Sequence, residues 1–106
     1  MNTMLANGQA ALYGKGVFTT VAIRAKRPLF WEKHWRRLTG DAAKVGVDIS
    51  AFGEALVRAE LERTLTSEGV ADGRARITFY DERPGDIWPA DAAENTSMSI
   101  LAGRRR

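Results

Sequence analysis

The sequence predicts an α+β fold, a two-layer sandwich with a mostly antiparallel sheet and two helices on one face. Three observations predict it. Residues 18–25 (Phe-Thr-Thr-Val-Ala-Ile-Arg-Ala) are rich in β-branched side chains, which suit a pleated, half-buried surface. Trp31, Trp35, Leu38, Ala42 and Val45 recur at spacings of four, three, four and three, which is one face of a helix. Ala75, Ile77 and Phe79 alternate with Arg74, Arg76, Thr78 and Tyr80, the period of a strand with one buried face. A chain of 106 residues holds one domain at most, with little core area to spare.

The elements follow in chain order. After the first strand, Lys26-Arg27-Pro28 reads as a turn, because proline supplies a fixed φ. Leu29-Phe30-Trp31 then reads as a short return strand that closes a β-hairpin. The first helix is expected from Trp31 or Glu32 and is ended by Gly46. Val47-Asp48-Ile49-Ser50 leads into a second helix, with Ser50 as its N-cap, since a serine hydroxyl can accept a free backbone N–H. On that helix Phe52, Leu56 and Ala59 form one apolar strip and Val57, Leu61 and Leu65 an adjacent one. Glu54, Arg58, Glu62 and Arg63 lie mostly away from both, and Glu54 with Arg58 has the favourable i, i+4 order. Gly69 suits the position just past the helix, where a left-handed backbone costs glycine little. Asp81 to Thr96 contains Pro84, Gly85, Pro89 and several acids and reads as a loop. Ser97 to Ala102 reads as the last strand. The order β-β-α-α-β-β implies an antiparallel sheet covered by two helices.

Composition narrows the function. There is no cysteine, so disulfides and thiolate metal sites are excluded, which suits a reducing cytoplasm. Met1-Asn2-Thr3-Met4-Leu5 lacks the basic region and apolar run of a signal peptide, and no apolar stretch has the length of a membrane span. Three basic residues end the sequence, Arg104, Arg105 and Arg106. No recognised nucleic-acid module accompanies them, so neither nucleic acid nor membrane is expected as a partner. His34 is the only histidine, and without Cys, Asp or Glu at ligand spacing it makes no metal site.

Several residues stand out as candidates for chemistry. Arg37 sits beside Leu38 on the helical wheel and three positions after His34, so it can flank the buried face. Its planar fork suits a phosphate. Read from the helix alone, the favoured reading is a surface arginine paired with Asp41 one turn on. Gly14 and Gly16 permit a tight backbone path, but Gly14-Lys15-Gly16-Val17 lacks the length and the Lys-Ser/Thr pair of a P-loop. Tyr13 and Phe18 could be pocket walls or core aromatics. Thr19 and Thr20 are ordinary strand residues unless a ligand meets their hydroxyls. Arg76 shares the polar side of its strand with Arg74, Thr78 and Tyr80, and that side can face a pocket or water.

The stretch Leu12-Tyr13-Gly14-Lys15-Gly16-Val17-Phe18-Thr19-Thr20, followed by Glu32-Lys33-His34-Trp35-Arg36-Arg37-Leu38, resembles the N-terminal domain of the class IV (fold-type IV) pyridoxal-phosphate (PLP) enzymes. Branched-chain aminotransferases, D-amino-acid aminotransferases and aminodeoxychorismate lyases form that group. The resemblance implies a two-layer α/β sandwich, PLP as cofactor, and Arg37, from the His-x-x-Arg-Leu pattern, as the ligand of its phosphate. It implies Tyr13, Phe18, Thr20 and Arg76 as substrate-binding residues, and His34 as support near Arg37.

By the same resemblance, residues 1–106 are the N-terminal domain. The lysine that carries PLP belongs to a C-terminal domain that this chain lacks, since Lys15, Lys26, Lys33 and Lys44 are its four lysines. No catalytic residue is therefore assigned here. The implied function is part of an aminotransferase acting on an amino acid and a 2-keto acid, cytoplasmic and built as a homodimer. Two alternatives stand beside it: an aminodeoxychorismate lyase-like enzyme, or a non-enzymatic binding or dimerisation domain of the same fold. Aminotransferases of the group commonly have glutamate where Thr19 stands, and Phe-Thr-Thr looks more like the lyases. Tyr80-Asp81-Glu82-Arg83-Pro84-Gly85 departs from the Ser/Thr-Arg-Gly segment of the family and leaves Arg83 without a role.

Overall fold

The computed structural model describes residues 3–4, 15–81 and 96–105. Its strands are β1 (Thr3–Met4), β2 (Lys15–Arg24), β3 (Arg27–Pro28), β4 (Gly73–Asp81) and β5 (Thr96–Arg104); its helices are α1 (Trp31–Val45) and α2 (Glu54–Glu68). The strands form one antiparallel sheet in the order β1-β2-β4-β5, with β3 on β2. This is the expected α+β two-layer sandwich.

Alternation along the strands decides which residues meet the helices. On β2 the inward residues are Val17, Thr19, Val21 and Ile23, all buried. Ala75, Ile77 and Phe79 of β4 and Met98, Ile100 and Ala102 of β5 share that side. Above them lie Leu38 and Ala42 of α1 and Val57, Leu61 and Leu65 of α2. Each such fully buried side chain contributes roughly 1.5–3 kcal/mol of transfer free energy. Phe52, just ahead of α2, packs its ring on Phe79 with centroids 5.2 Å apart.

The hairpin turns earlier than the sequence suggests. Ala25 and Lys26 both take positive φ, 52° and 64°, the type I′ pattern that matches strand twist. Their neighbours hold them there: Ala25 N–H donates to Asp72 Oδ1 at 3.1 Å, and Lys26 N–H to the Ala71 carbonyl at 2.9 Å. The return strand is therefore Arg27–Pro28, not Leu29–Trp31. Pro28 fits at this short outer strand, where its missing N–H leaves no ladder bond unmade.

The first helix starts at Trp31, as expected, whereas the start of the second differs. Phe30, at φ 55°, turns the chain into α1. Gly53 rather than Ser50 precedes α2, while Ser50 N–H is taken up by Asp48 Oδ1 at 2.9 Å in a tight turn. Leu56 is 47% exposed and Ala59 is exposed too, so only the Val57–Leu61–Leu65 strip is buried. Glu54 and Arg58 turn to Trp31 instead of to each other. Trp31 Nε1–H donates to Glu54 Oε2 at 2.9 Å, and the Arg58 guanidinium lies 5.5 Å over the indole. Trp31 thus ties the two helices together and stacks on Trp35 one turn along. Gly46 and Gly69 end the helices in the left-handed region, as expected.

Candidate functional site

The first candidate region is the flank of α1. His34, Arg37 and Asp41 follow one another by three and four positions and so share that flank. Thr19 reaches up from the inward side of β2, and its Oγ1 lies 2.8 Å from His34 Nδ1. One hydrogen bond joins them, its direction set by the imidazole tautomer. Thr19 is almost fully buried, so this bond fixes the ring against the sheet.

Burial lowers the His34 pKa from its ordinary 6.5, and the positive charge of Arg37 lowers it further. The ring is therefore neutral at pH 7, and Arg37 is the positive charge of this small group. Arg37 itself is exposed and makes no hydrogen bond or ion pair with a described residue. It does not pair with Asp41, whose carboxylate is buried with Oδ2 lacking a hydrogen-bond partner. A free guanidinium on a helix anchored to a sheet is a ready fork for a phosphate or carboxylate.

The second candidate region is the opposite face of the sheet. There Phe18, Thr20, Ala22 and Arg24 of β2 lie beside Thr78, Arg76 and Arg74 of β4. Thr20 and Arg76 are direct cross-strand partners, and the Arg76 guanidinium stacks 4.8 Å from the centroid of the Phe18 ring. Neither α1 nor α2 covers this face. The structure thus brings Phe18, Thr20 and Arg76 together, and it brings Arg37, His34 and Thr19 together. The sheet itself lies between the two sets. Tyr13 falls outside the described residues, as do Arg83 and the segment around it.

The Thr19–His34 contact was not foreseen from the residues. Strand parity carried the signal: Thr19 alternates with Val17 and Val21, so its hydroxyl had to point into the core and seek a partner. Asp41 was named only as a mate for Arg37, and its burial was not foreseen. Among the described residues no group of His, Cys, Asp and Glu could hold a metal ion, and no helix is long and apolar enough to cross a membrane.

No protein-family model matches this sequence, and no curated protein matches it. Solved structures do. The chain is similar to a candidate 4-amino-4-deoxychorismate lyase from Legionella pneumophila, with TM-score 0.72 and 17% identity over 88% of this chain and 34% of that one. It is also similar to the 4-amino-4-deoxychorismate lyase from Pseudomonas aeruginosa, with TM-score 0.60 and 26% identity over 86% of this chain and 32% of that one. The chain spans about a third of the length of either neighbour. Both neighbours fall in the enzyme group that residues 12–38 resemble, and the fold is that of the class IV PLP-dependent enzymes.

Proposed function

We propose that this chain is the N-terminal part of a class IV PLP-dependent enzyme, an aminotransferase working on an amino acid and 2-keto acid pair. The observation that carries the reading is Arg37: a free guanidinium beside a neutral histidine that Thr19 pins to the sheet. The donor set fits the phosphate of PLP. The fork offers parallel N–H groups to an oxyanion, and the neutral ring adds no second positive charge that would repel Arg37 before an anion arrives.

PLP, when bound, supplies an electron sink at the carbon that bears the amino group. This chain's residues would bind and orient. Arg37 would hold the phosphate, and the buried Thr19–His34 bond would keep its helix flank in place. Phe18, Thr20 and Arg76 would wall the substrate, with Arg76 meeting a carboxylate at its edge while its face stays stacked on Phe18. Because the sheet separates these residues from Arg37, the reading requires the bound groups to extend past a margin of the sheet. The lysine that carries the cofactor would come from the remainder of a longer protein, and two copies of that protein would form a homodimer acting in the cytoplasm.

A lyase reading stands second, and two observations favour it. The solved structures above are 4-amino-4-deoxychorismate lyases, and Thr19 occupies the place where the aminotransferases of the group commonly have glutamate. In this structure Thr19 is turned inward to His34, so it offers no charge to a substrate.

The intact mass of the protein purified from its source, denatured after borohydride treatment with PLP, tests the reading. It predicts a polypeptide about three times this chain's length with one reduced PLP adduct. A mass equal to these 106 residues with no adduct would leave a non-enzymatic binding or dimerisation domain of the same fold. Product analysis then separates the chemistries: a keto acid formed with a second amino acid means transamination, and release of pyruvate from aminodeoxychorismate means elimination.

A further inference from the structure

A cleft opens at the end of the sheet where the β2–β3 turn, the start of β4 and the end of β5 meet. Its volume is about 680 Å³, within the range of small-molecule sites. Four arginines line it, Arg24, Arg74, Arg104 and Arg105, with Asp72 the one acid among the described lining residues. Lys26 and Arg27, in and just after the turn, add charge of the same sign.

Among the described residues, the charges are not neutralised. None of the four guanidiniums makes a hydrogen bond or ion pair with a described residue. Asp72 is committed to the backbone: its Oδ1 accepts Ala25 N–H and its carbonyl accepts Arg105 N–H at 2.9 Å. The cleft is also built rather than incidental. Gly73 lies so close to the facing strand that a Cβ there would stand 2.0 Å from the Gly103 carbonyl oxygen. The absence of that side chain lets β4 and β5 close, and their register sets Arg74 opposite Gly103 and Ala22. Arg24 and Arg74 share the outward side of the sheet, while the Arg104 guanidinium lies on the helix side beside Gly69; like charges at one cleft repel, and a bound anion relieves the repulsion.

We propose that this cleft binds a small oxyanion carrying two or more negative charges, of the phosphate-ester or pyrophosphate class. Guanidinium forks match phosphate oxygens in pairs. Among the described lining residues the large apolar ones are Ile23 and Leu29 and none is aromatic, so they offer no stacking platform for a nucleobase. The site is independent of the Arg37 phosphate anchor. It lies at the hairpin end of the sheet and uses none of Arg37, His34 or Thr19.

The test is a titration of the intact protein with inorganic pyrophosphate, followed by NMR at the arginine side-chain N–H groups. Arg24 and Arg74 are expected to shift together and to saturate. The double variant Arg24→Gln/Arg74→Gln should bind at least about tenfold more weakly, the loss expected for two charge-assisted contacts. Arg36→Gln, an exposed arginine on α1, should stay within about twofold of the parent, as expected for a distant exposed charge. The wild-type map decides the matter even if the double variant folds poorly. Shifts confined to Arg37 and His34 would overturn the proposal, as would equal, unsaturable shifts at all arginines. A DNA oligonucleotide that took the same arginines more tightly than pyrophosphate would overturn the assignment to a small anion.

Discussion

The flank of α1 around Arg37 and the open sheet face around Arg76 both present an arginine, and the two are prepared differently. Arg76 is already engaged, its guanidinium stacked 4.8 Å from the Phe18 ring. Arg37 is exposed and has no partner among the described residues, and the order around it lies one step behind, in the buried bond between Thr19 and His34. A stacked guanidinium keeps its plane and offers only its edge, which suits a planar carboxylate. A free one can close on a phosphate from more directions. The difference supports giving Arg37 the cofactor and Arg76 the substrate. Since Thr19 and Thr20 are adjacent yet serve opposite faces, one residue of strand register separates the two jobs.

The largest expected effect comes from breaking the partition itself. Phe79 is fully buried between the layers, and Phe79→Ala should lower stability by about 3–5 kcal/mol in urea unfolding, through lost transfer energy and the cavity left behind. A cost below about 1 kcal/mol would mean that the sheet does not form the common floor of both regions. Next comes the pair of neighbouring threonines. Thr19→Val leaves His34 without its buried partner and should cost about 1–2 kcal/mol, whereas Thr20→Val, on the half-exposed face, should stay within about 0.5 kcal/mol. Equal costs in the same unfolding experiment would erase the distinction between the faces.

Arg76→Ala should cost only about 0.5–1 kcal/mol, the worth of an exposed cation–π contact, with the Phe18 ring resonances moving and those of His34 unchanged. The smallest effect is a pH dependence confined to the α1 flank. The folded-state pKa of His34 is lowered below its ordinary 6.5, so the unfolded chain binds the proton more readily. Its contribution to stability is full above that value and is lost as the pH falls from there towards the lower folded-state pKa. The melting temperature should therefore decline through this window, and His34→Gln should flatten the decline. An unaltered profile in the variant would assign the dependence to other groups.

Much of the fold was legible because it rests on periodicity. The inward strips of α1, β4 and β5 follow from spacing alone, and so does the covering of one sheet face. The misreadings lie where tertiary contacts overrode local preference. Ala25 and Lys26 lack the Asn-Gly signature of a type I′ turn and are held at positive φ by Ala71 and Asp72, far along the chain. Ser50 looked like an N-cap, but its own amide is used by Asp48. Glu54 and Arg58 had the spacing of an ion pair, but Trp31 offered both a better place. For the site, the motif spacing pointed to Arg37, and the alternation of β4 grouped Arg76 with Thr78. The same alternation sets Arg76 on the side away from the helices, so the sheet between it and Arg37 follows from parity; that Thr20 and Phe18 stand beside Arg76 depends on the β2–β4 register and was not legible. The four-arginine cleft was invisible for the same reason: Arg24, Arg74 and Arg105 are remote in sequence and are gathered only by the pairing of three strands.

The most direct test of the central claim is a PLP-binding titration of the intact protein with Arg37→Ala beside Arg36→Ala. The two arginines are neighbours on one helix, both exposed, so charge and stability effects are matched. If Arg37 anchors the phosphate, Arg37→Ala should raise the dissociation constant at least tenfold, on the order of one lost charge-assisted contact, while Arg36→Ala changes it little. Equal effects from the two substitutions would contradict the assignment.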